Sequence, residues 1–378
     1  MDLHAEERSV RLPPLNLLYF SPVAWNSYAQ RPHYFARHFL ERGGASVAWI
    51  NPYPTRLPGL ADLRGRPPDP VAAEADPRVT VIDVAAWPVE PLPGGSLVNR
   101  ALHWRGLAAR LARGMSGGDG IVGVGRPSAL AALALRTVPA RRRFYDAMDD
   151  FPEFYGGLSR RSMRGRENEV LAGVDRVYAA SDALAAKFAR RGVEAALVRN
   201  AYAMRTLPAW APPHGAGPVV FGYVGTVGHW FDWDVVARLA AAFPAAEVRI
   251  VGPVYAGPPR SLPDNVRLLG ACPQSAAVEH LRTFSCGLIP FRKTPLTDAV
   301  DPIKYYEYRG MGLPVLTTRF GQMALRTEAD GVHALDAPGG IEAAARAALA
   351  HRADAATVAR FRAENDWEMR LDRAGLFS

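Results

Sequence analysis

The chain has 378 residues, too long for one ordinary core and enough for two domains of about 150–200 residues each. Hydrophobic residues make up 49% and charged residues 22%, a globular balance that excludes a disordered or collagen-like chain. The formal charge is +8, and the excess falls early: residues 1–205 hold 28 basic and 20 acidic residues, whereas residues 206–378 hold 17 and 17.

The elements follow in chain order. LNLLYF (15–20) is an apolar run suited to a buried parallel strand. A loop follows, then a helix over 33–42 that Pro32 starts and Gly43-Gly44 ends. SVAWI (46–50), VTVIDV (79–84), GIVGV (120–124), RFYD (143–146) and RVYAA (176–180) repeat the strand signature. Helical patterns at 98–115, 162–172 and 182–191 separate several of them. RTLPAWAPPHGAGP (205–218) has no periodicity and reads as a linker. The alternation then restarts with strands at 219–225, 247–252, 266–270, 286–290, 314–318 and 332–336. Helices are expected at 234–243, 275–284, 304–311 and 341–350, with a last amphipathic helix in 364–377. Strands alternating with helices predict an α/β chain of two doubly wound parallel sheets, with a ligand cleft between them.

Several chemistries are excluded by residue type. Two cysteines, Cys272 and Cys286, build neither a disulfide scaffold nor a zinc ribbon and fit a reducing compartment. No HExxH zinc motif occurs. MDLHAEERSVRLPP has no apolar leader core and no run reaches 18 apolar residues, so a cytoplasmic location is expected. The helices show no interleaved aromatic and basic stripe, so no nucleic-acid partner is expected. Lys occurs only at 187, 293 and 304, which makes a lysine a more informative cation here than any of the many arginines.

Four segments carry candidate chemistry. In DPIKYYEYRGMGLPVLTT (301–318), Pro302 starts a short helix closed by Gly310 and Gly312. Lys304 and Glu307 share one face at its N-terminal end, where free N–H groups and the helix dipole attract anions. Lys304 adds a full charge, and Glu307 offers a carboxylate to a ribose diol. A surface ion pair is the simpler alternative. In FGYVGTVGHWFDWDVV (221–236), a strand runs into Gly225-Thr226-Val227-Gly228 and His229, a glycine-rich turn that lets backbone approach a phosphate. Its GxxGxxG spacing and the lack of an acid after the second strand argue against dinucleotide binding.

RFYDAMDDFPEFY (143–155) places aspartates at a strand C-terminus, the edge where α/β ligands bind. Asp149 or Asp150 is the candidate general base, and an Asx-rich cap is the alternative. In SPVAWNSYAQRPHYFARHFLERGG (21–44), the loop after the first strand carries Trp25, Gln30 and Arg31, either lining the cleft or serving as helix cap and core filler.

P-x-K-x-x-E-Y-x-x-x-G-x-P-V (302–315) resembles the nucleotide-sugar segment of GT-B fold glycosyltransferases, in particular the family-4-like group that builds bacterial polysaccharides. The Ile303-Lys304 pair is similar to the Met-Lys pair of the xanthan glucuronosyltransferases. YD-x-x-DD and W-x-x-x-x-Q-R-P are similar to stretches of the same group. The resemblance implies that Glu307 holds the nucleotide ribose and Lys304 the diphosphate. It implies that Gly225 to His229 and Ile303 face the nucleotide, that Asp149 or Asp150 serves the acceptor, and that Trp25, Gln30 and Arg31 line the cleft. One departure concerns the second Glu of many members, whose place is taken by Ala299. A carboxylate base suits inversion and the kinship suits retention.

The implied organisation is an acceptor domain at 1–205, a linker at 206–218, a donor domain at 219–360 and a helix at 361–378 crossing back to the first domain. LVRNAY (197–202) would form the junction. The implied donor is a nucleotide-sugar, UDP-linked in preference to GDP-linked. The acceptor is a saccharide or polyprenyl-linked saccharide of surface polysaccharide synthesis, and neither metal nor cofactor is needed. The basic first half suits an anionic membrane surface. The rivals are a nucleotide-sugar epimerase of GT-B-like fold, with further carboxylates and a histidine in the cleft, and a non-catalytic nucleotide-binding module.

Overall fold

The computed structural model describes residues 16–58, 76–115, 117, 119–210, 217–258 and 261–377; segment 1–15 and linker residues 211–216 lie outside them. The first sheet holds β1 (Leu17–Phe20), β2 (Val47–Ile50), β3 (Val79–Ile82), β4 (Ile121–Val124), β5 (Arg142–Ala147), β6 (Arg176–Ala179) and β7 (Ala196–Leu197). Their order is β3-β2-β1-β4-β5-β6-β7, and every pairing is parallel. The second sheet holds β8 (Val220–Val224), β9 (Glu247–Val251), β10 (Val266–Leu268), β11 (Cys286–Ile289), β12 (Val315–Thr317) and β13 (Val332–Ala334). It is also all parallel, in the order β10-β9-β8-β11-β12-β13.

Continuous apolar runs make the central strands, because helices cover both sheet faces: β1, β2, β4 and β11 are buried along their whole length. In each sheet the order reverses once, between β1 and β4 and between β8 and β11. Loops at such a point diverge and leave a crevice beyond the strand C-termini. The two crevices face each other.

Three local differences from the sequence reading have physical causes. Helix Ala129–Thr137 is absent from that reading because it is apolar on all sides and buried, so no amphipathic period marks it. The helix expected at 98–115 begins at Gly95 and contains a π-helical turn, Arg100–Trp104, in which Trp104 is buried. The expected last helix (364–377) forms as the shorter Trp367–Ala374, because Asp366 caps its start through Glu368 N, and a separate helix before it, Ala355–Glu364, is absent from that reading.

The last helix packs on the first domain. Trp367 stacks on Tyr34 at 5.2 Å, and Leu371 and Leu376 join a core with Leu17, Tyr19, Phe35 and Phe144. Arg42 pairs with Asp372 across the same seam.

Candidate active site

Both switch points open into one cleft of about 800 Å³. Its first-domain wall comes from the loops after β1, β4 and β5, with Gln30, Arg126 and Asp149. Its second-domain wall comes from the loops after β8, β9 and β11 and from helix Ile303–Gly310, with Gly225, Thr226, Trp230, Lys304 and Glu307.

Helix Ile303–Gly310 begins at Pro302, and no side chain caps it. The N–H groups of Ile303 and Lys304 therefore stay available beside the cleft, whereas that of Tyr305 donates to the Pro302 carbonyl at 3.1 Å. Lys304 sits in that turn, and its ammonium lies 5.2 Å from the centre of the Tyr223 ring. No carboxylate of the described residues lies within ion-pairing distance of it. Burial lowers its pKa, and nearby Glu307 opposes the shift. Gly225, at φ +140°, makes room for it: a Cβ there would meet Lys304 Cε at 2.4 Å and Nζ at 2.5 Å. Glu307 is buried, and its Oε1 accepts from the Tyr202 hydroxyl at 2.9 Å. Burial raises its pKa, with the Tyr202 hydrogen bond and Lys304 pulling the other way. The i,i+3 pair is thus a cleft feature and no surface ion pair.

The two candidate aspartates separate. Asp149 lines the cleft, and burial pushes its carboxyl up to about 7, with Arg31 opposing and Asp146 and Asp150 adding to the shift. Asp150 is turned away: its Oδ1 accepts from Lys187 Nζ at 2.9 Å, and that lysine also holds Glu167 at 2.8 Å.

Two other sequence candidates, Arg31 and Trp25, lie off the cleft. Arg31 is fully buried, with Nε 2.8 Å from Asp146 Oδ1 and Nη1 2.6 Å from the Val198 carbonyl. It ties helix Arg31–Glu41 to β5 and lines nothing. Trp25 packs edge-on against Trp49 at 4.9 Å and beside His33, so its core-filler alternative describes it. Gln30 does line the cleft, and it also caps that helix in a reciprocal pair with His33.

Of the glycine-rich turn, Gly225 and Thr226 reach the cleft. Val227 is held below by its N–H on the Pro253 carbonyl, Gly228 lies under Trp230, and His229 is exposed elsewhere. The turn does not run straight into a helix, because residues 225–232 intervene. Helix Trp233–Ala242 has its N-terminus closed by Asp232, which accepts from the N–H groups of Asp234 and Val235. Ile303 lines the cleft, whereas Ala299 is buried and its carbonyl accepts from Ser181 Oγ at 2.6 Å. Among the described residues no group of three His, Cys, Asp or Glu is placed to hold a metal.

Sequence reasoning missed Arg126, Tyr202 and Trp230. Arg126 stands in GVGRP (123–127), just past the strand segment GIVGV. The first N–H groups of the helix that follows are taken by Glu90, Tyr53 and Ser128.

No protein-family model matches the chain, and no curated protein matches it in sequence. Solved structures do match in shape. The sucrose-phosphate synthase of Thermosynechococcus elongatus is 14% identical, with a TM-score of 0.65 over 96% of this chain and 98% of that one. A UDP-forming α,α-trehalose-phosphate synthase of Burkholderia vietnamiensis is 14% identical, with a TM-score of 0.61 over 96% and 99%. The lipopolysaccharide outer core galactosyltransferase WaaB is 12% identical, with a TM-score of 0.59 over 96% and 99%. Near-complete coverage on both sides matches the two facing, doubly wound sheets and the cleft between them together, and the chain therefore has the GT-B fold.

Proposed function

We propose that the protein transfers a sugar from a nucleotide-sugar, UDP-linked in preference to GDP-linked, to a saccharide or polyprenyl-linked saccharide acceptor of bacterial surface polysaccharide synthesis. The observation that carries this reading is one cleft with an unpaired cation at an uncapped helix start on one wall and a carboxylate of raised pKa on the other.

The donor diphosphate lies at the start of helix Ile303–Gly310 and on Lys304. The ribose diol donates to the Glu307 carboxylate, whose other partner is Tyr202. The acceptor hydroxyl gives its proton to Asp149 as its oxygen attacks the anomeric carbon. The bond to the diphosphate breaks, its electron pair leaves with the nucleotide, and Lys304 meets that developing charge. A base on the wall opposite the leaving group corresponds to inversion. An epimerase would use a histidine in the cleft, and no histidine lines it among the described residues.

A membrane-facing role for the first domain is supported by exposed Leu97 and Leu102, 65% and 61% accessible, beside exposed Arg100 and Arg105 on one helical stretch. No helix among the described residues is long and apolar enough to cross a membrane.

A thermal-shift screen of nucleotide-sugars tests the donor assignment. A ligand at 100 times its Kd stabilises the fold by about 2.7 kcal/mol. A melting temperature unmoved by every nucleotide-sugar overturns the reading.

A further inference from the structure

Of the three lysines, Lys304 faces the diphosphate, Lys293 is exposed, and Lys187 is partly buried with no place yet in the reaction. Lys187 stands on helix Asp182–Ala189, and its ammonium joins that helix to two other elements. It lies 2.9 Å from Asp150 Oδ1 in the loop after β5, and 2.8 Å from Glu167 Oε1 on helix Gly157–Leu171. Arg191 Nη1 lies 2.7 Å from the other Glu167 oxygen. Two cations thus meet two carboxylates, and their charges cancel. The start of helix Asp182–Ala189 is fixed on the second domain: Ser181 Oγ donates to the Ala299 carbonyl, and the Asp182 N–H donates to Gln322 Oε1 at 3.0 Å. One short helix therefore ties the loop that carries Asp149 to the donor domain.

Asp149 adjoins Asp150 and faces the cleft instead. The charged groups around the two aspartates are paired. Arg31 holds Asp146, Lys187 holds Asp150, and Arg160 and Arg164 hold Glu153. Tyr145 lies beneath them as a neutral phenol, because burial raises its pKa. Arg56 and Arg126 line the same wall and are common to every comparison below. Among the described residues Lys187 is the one cation within ion-pairing distance of Asp150. Without it, the Asp150 charge would act on its neighbour uncompensated.

We propose that Lys187 is a positioning residue for sugar transfer: it holds Asp150 away from the cleft and balances its charge, which leaves Asp149 facing the acceptor and able to take its proton. This rests on the reading of Asp149 as the base. The balance has a definite sign. Removing the lysine adds one net negative charge beside Asp149 and favours its protonated form. Removing the Asp150 charge does the opposite, and removing both restores neutrality.

The test follows the Asp149 carboxyl by NMR titration of the full chain labelled at its aspartate carboxyl carbons, the signal being assigned by its loss in Asp149→Asn. In the unaltered protein it titrates at about 7. In Lys187→Met the midpoint rises by about half a pH unit or more, and in Asp150→Asn it falls. The double variant returns to the unaltered midpoint, and Lys187→Arg, which keeps the charge, stays there. A lysine that only supports the fold gives another pattern, with the double variant displaced at least as far as either single one. UDP affinity is the control for an intact fold and is kept in every variant. If Lys187→Met does not fold, Asp150→Asn decides alone, because its midpoint must fall. The proposal is overturned if Lys187→Met leaves the midpoint in place, if Asp150→Asn fails to lower it, or if the double variant does not return. The titration needs no acceptor, so the two failures stay distinct: full turnover in Asp149→Asn removes the base reading, whereas unmoved midpoints remove only the role of Lys187.

Discussion

Gly225 and Lys304 share one space: a Cβ on the glycine would stand 2.5 Å from the lysine Nζ. The turn after β8 and the start of helix Ile303–Gly310 are thereby fitted to each other, and the ammonium sits where the two meet. Gly225→Ala is expected to push the lysine away and to strain the backbone at φ +140°. UDP affinity, measured by titration, should fall about ten-fold, comparable to the loss in Lys304→Ala. Because both changes remove one interaction, the double variant should lose less than the two single losses combined. Wild-type affinity in Gly225→Ala would detach the glycine from the lysine's placement.

The two aspartates of the DD pair should respond oppositely. Asp149→Asn should keep UDP affinity and lose roughly 10²- to 10⁴-fold in turnover, the range for a positioned general base. Asp150→Asn should keep turnover and lower the melting temperature, because Lys187 then holds Glu167 alone. A half-buried ion pair of this kind contributes about 1 kcal/mol. Full turnover in Asp149→Asn would remove the base assignment.

The raised pKa of Asp149 gives the transfer rate a pH dependence with a definite sign. The base works ionised, and its carboxyl is held up to about 7, first by burial. Turnover should therefore rise as pH increases through about 7 and fall about ten-fold per unit below it. A rate profile flat from about pH 5.5 to 8 would contradict the role.

Glu307→Gln should weaken UDP about ten-fold or more, because a charged acceptor for the ribose hydroxyls becomes a neutral amide. Tyr202→Phe removes one donor from that carboxylate and leaves the charge, so its effect should be smaller. Calorimetry on both variants orders the two roles. Equal affinity in wild type and Glu307→Gln would end the ribose assignment.

Association with anionic vesicles should decline as salt rises, since surface charge is screened over about 8–10 Å at physiological ionic strength. Replacing Leu97 and Leu102 by serine should lower the bound fraction further in a co-sedimentation assay. Equal binding to neutral and anionic vesicles would rule out the electrostatic contribution.

Where periodicity and punctuation coincide, the sequence was sufficient. Pro302, the glycines at 310 and 312 and the apolar strands locate helix Ile303–Gly310, and two cleft residues follow from its spacing. The all-parallel sheets follow from strand runs without alternation. Direction was not legible. Arg31 and Gln30 are adjacent, yet one turns into the core toward Asp146 and the other toward the cleft. Asp149 and Asp150 part in the same way, because Lys187, 37 residues onward, claims only one of them. Tyr202 and Arg126 acquire meaning only from partners distant in the chain, a relationship that no local pattern encodes.

The seam at Trp367 has a consequence for how the protein is made. Leu17, Tyr19 and Phe35 need Trp367, Leu371 and Leu376 to close their core, and these are synthesised about 170 residues after the first sheet ends at Leu197. At roughly 5–20 residues per second, the first domain waits about 10–35 seconds on the ribosome with one wall of its core missing. Its apolar face is then open to the solvent and to chaperones while the second domain, whose sheet ends at Ala334, is already emerging. The domain translated first is therefore the one completed last.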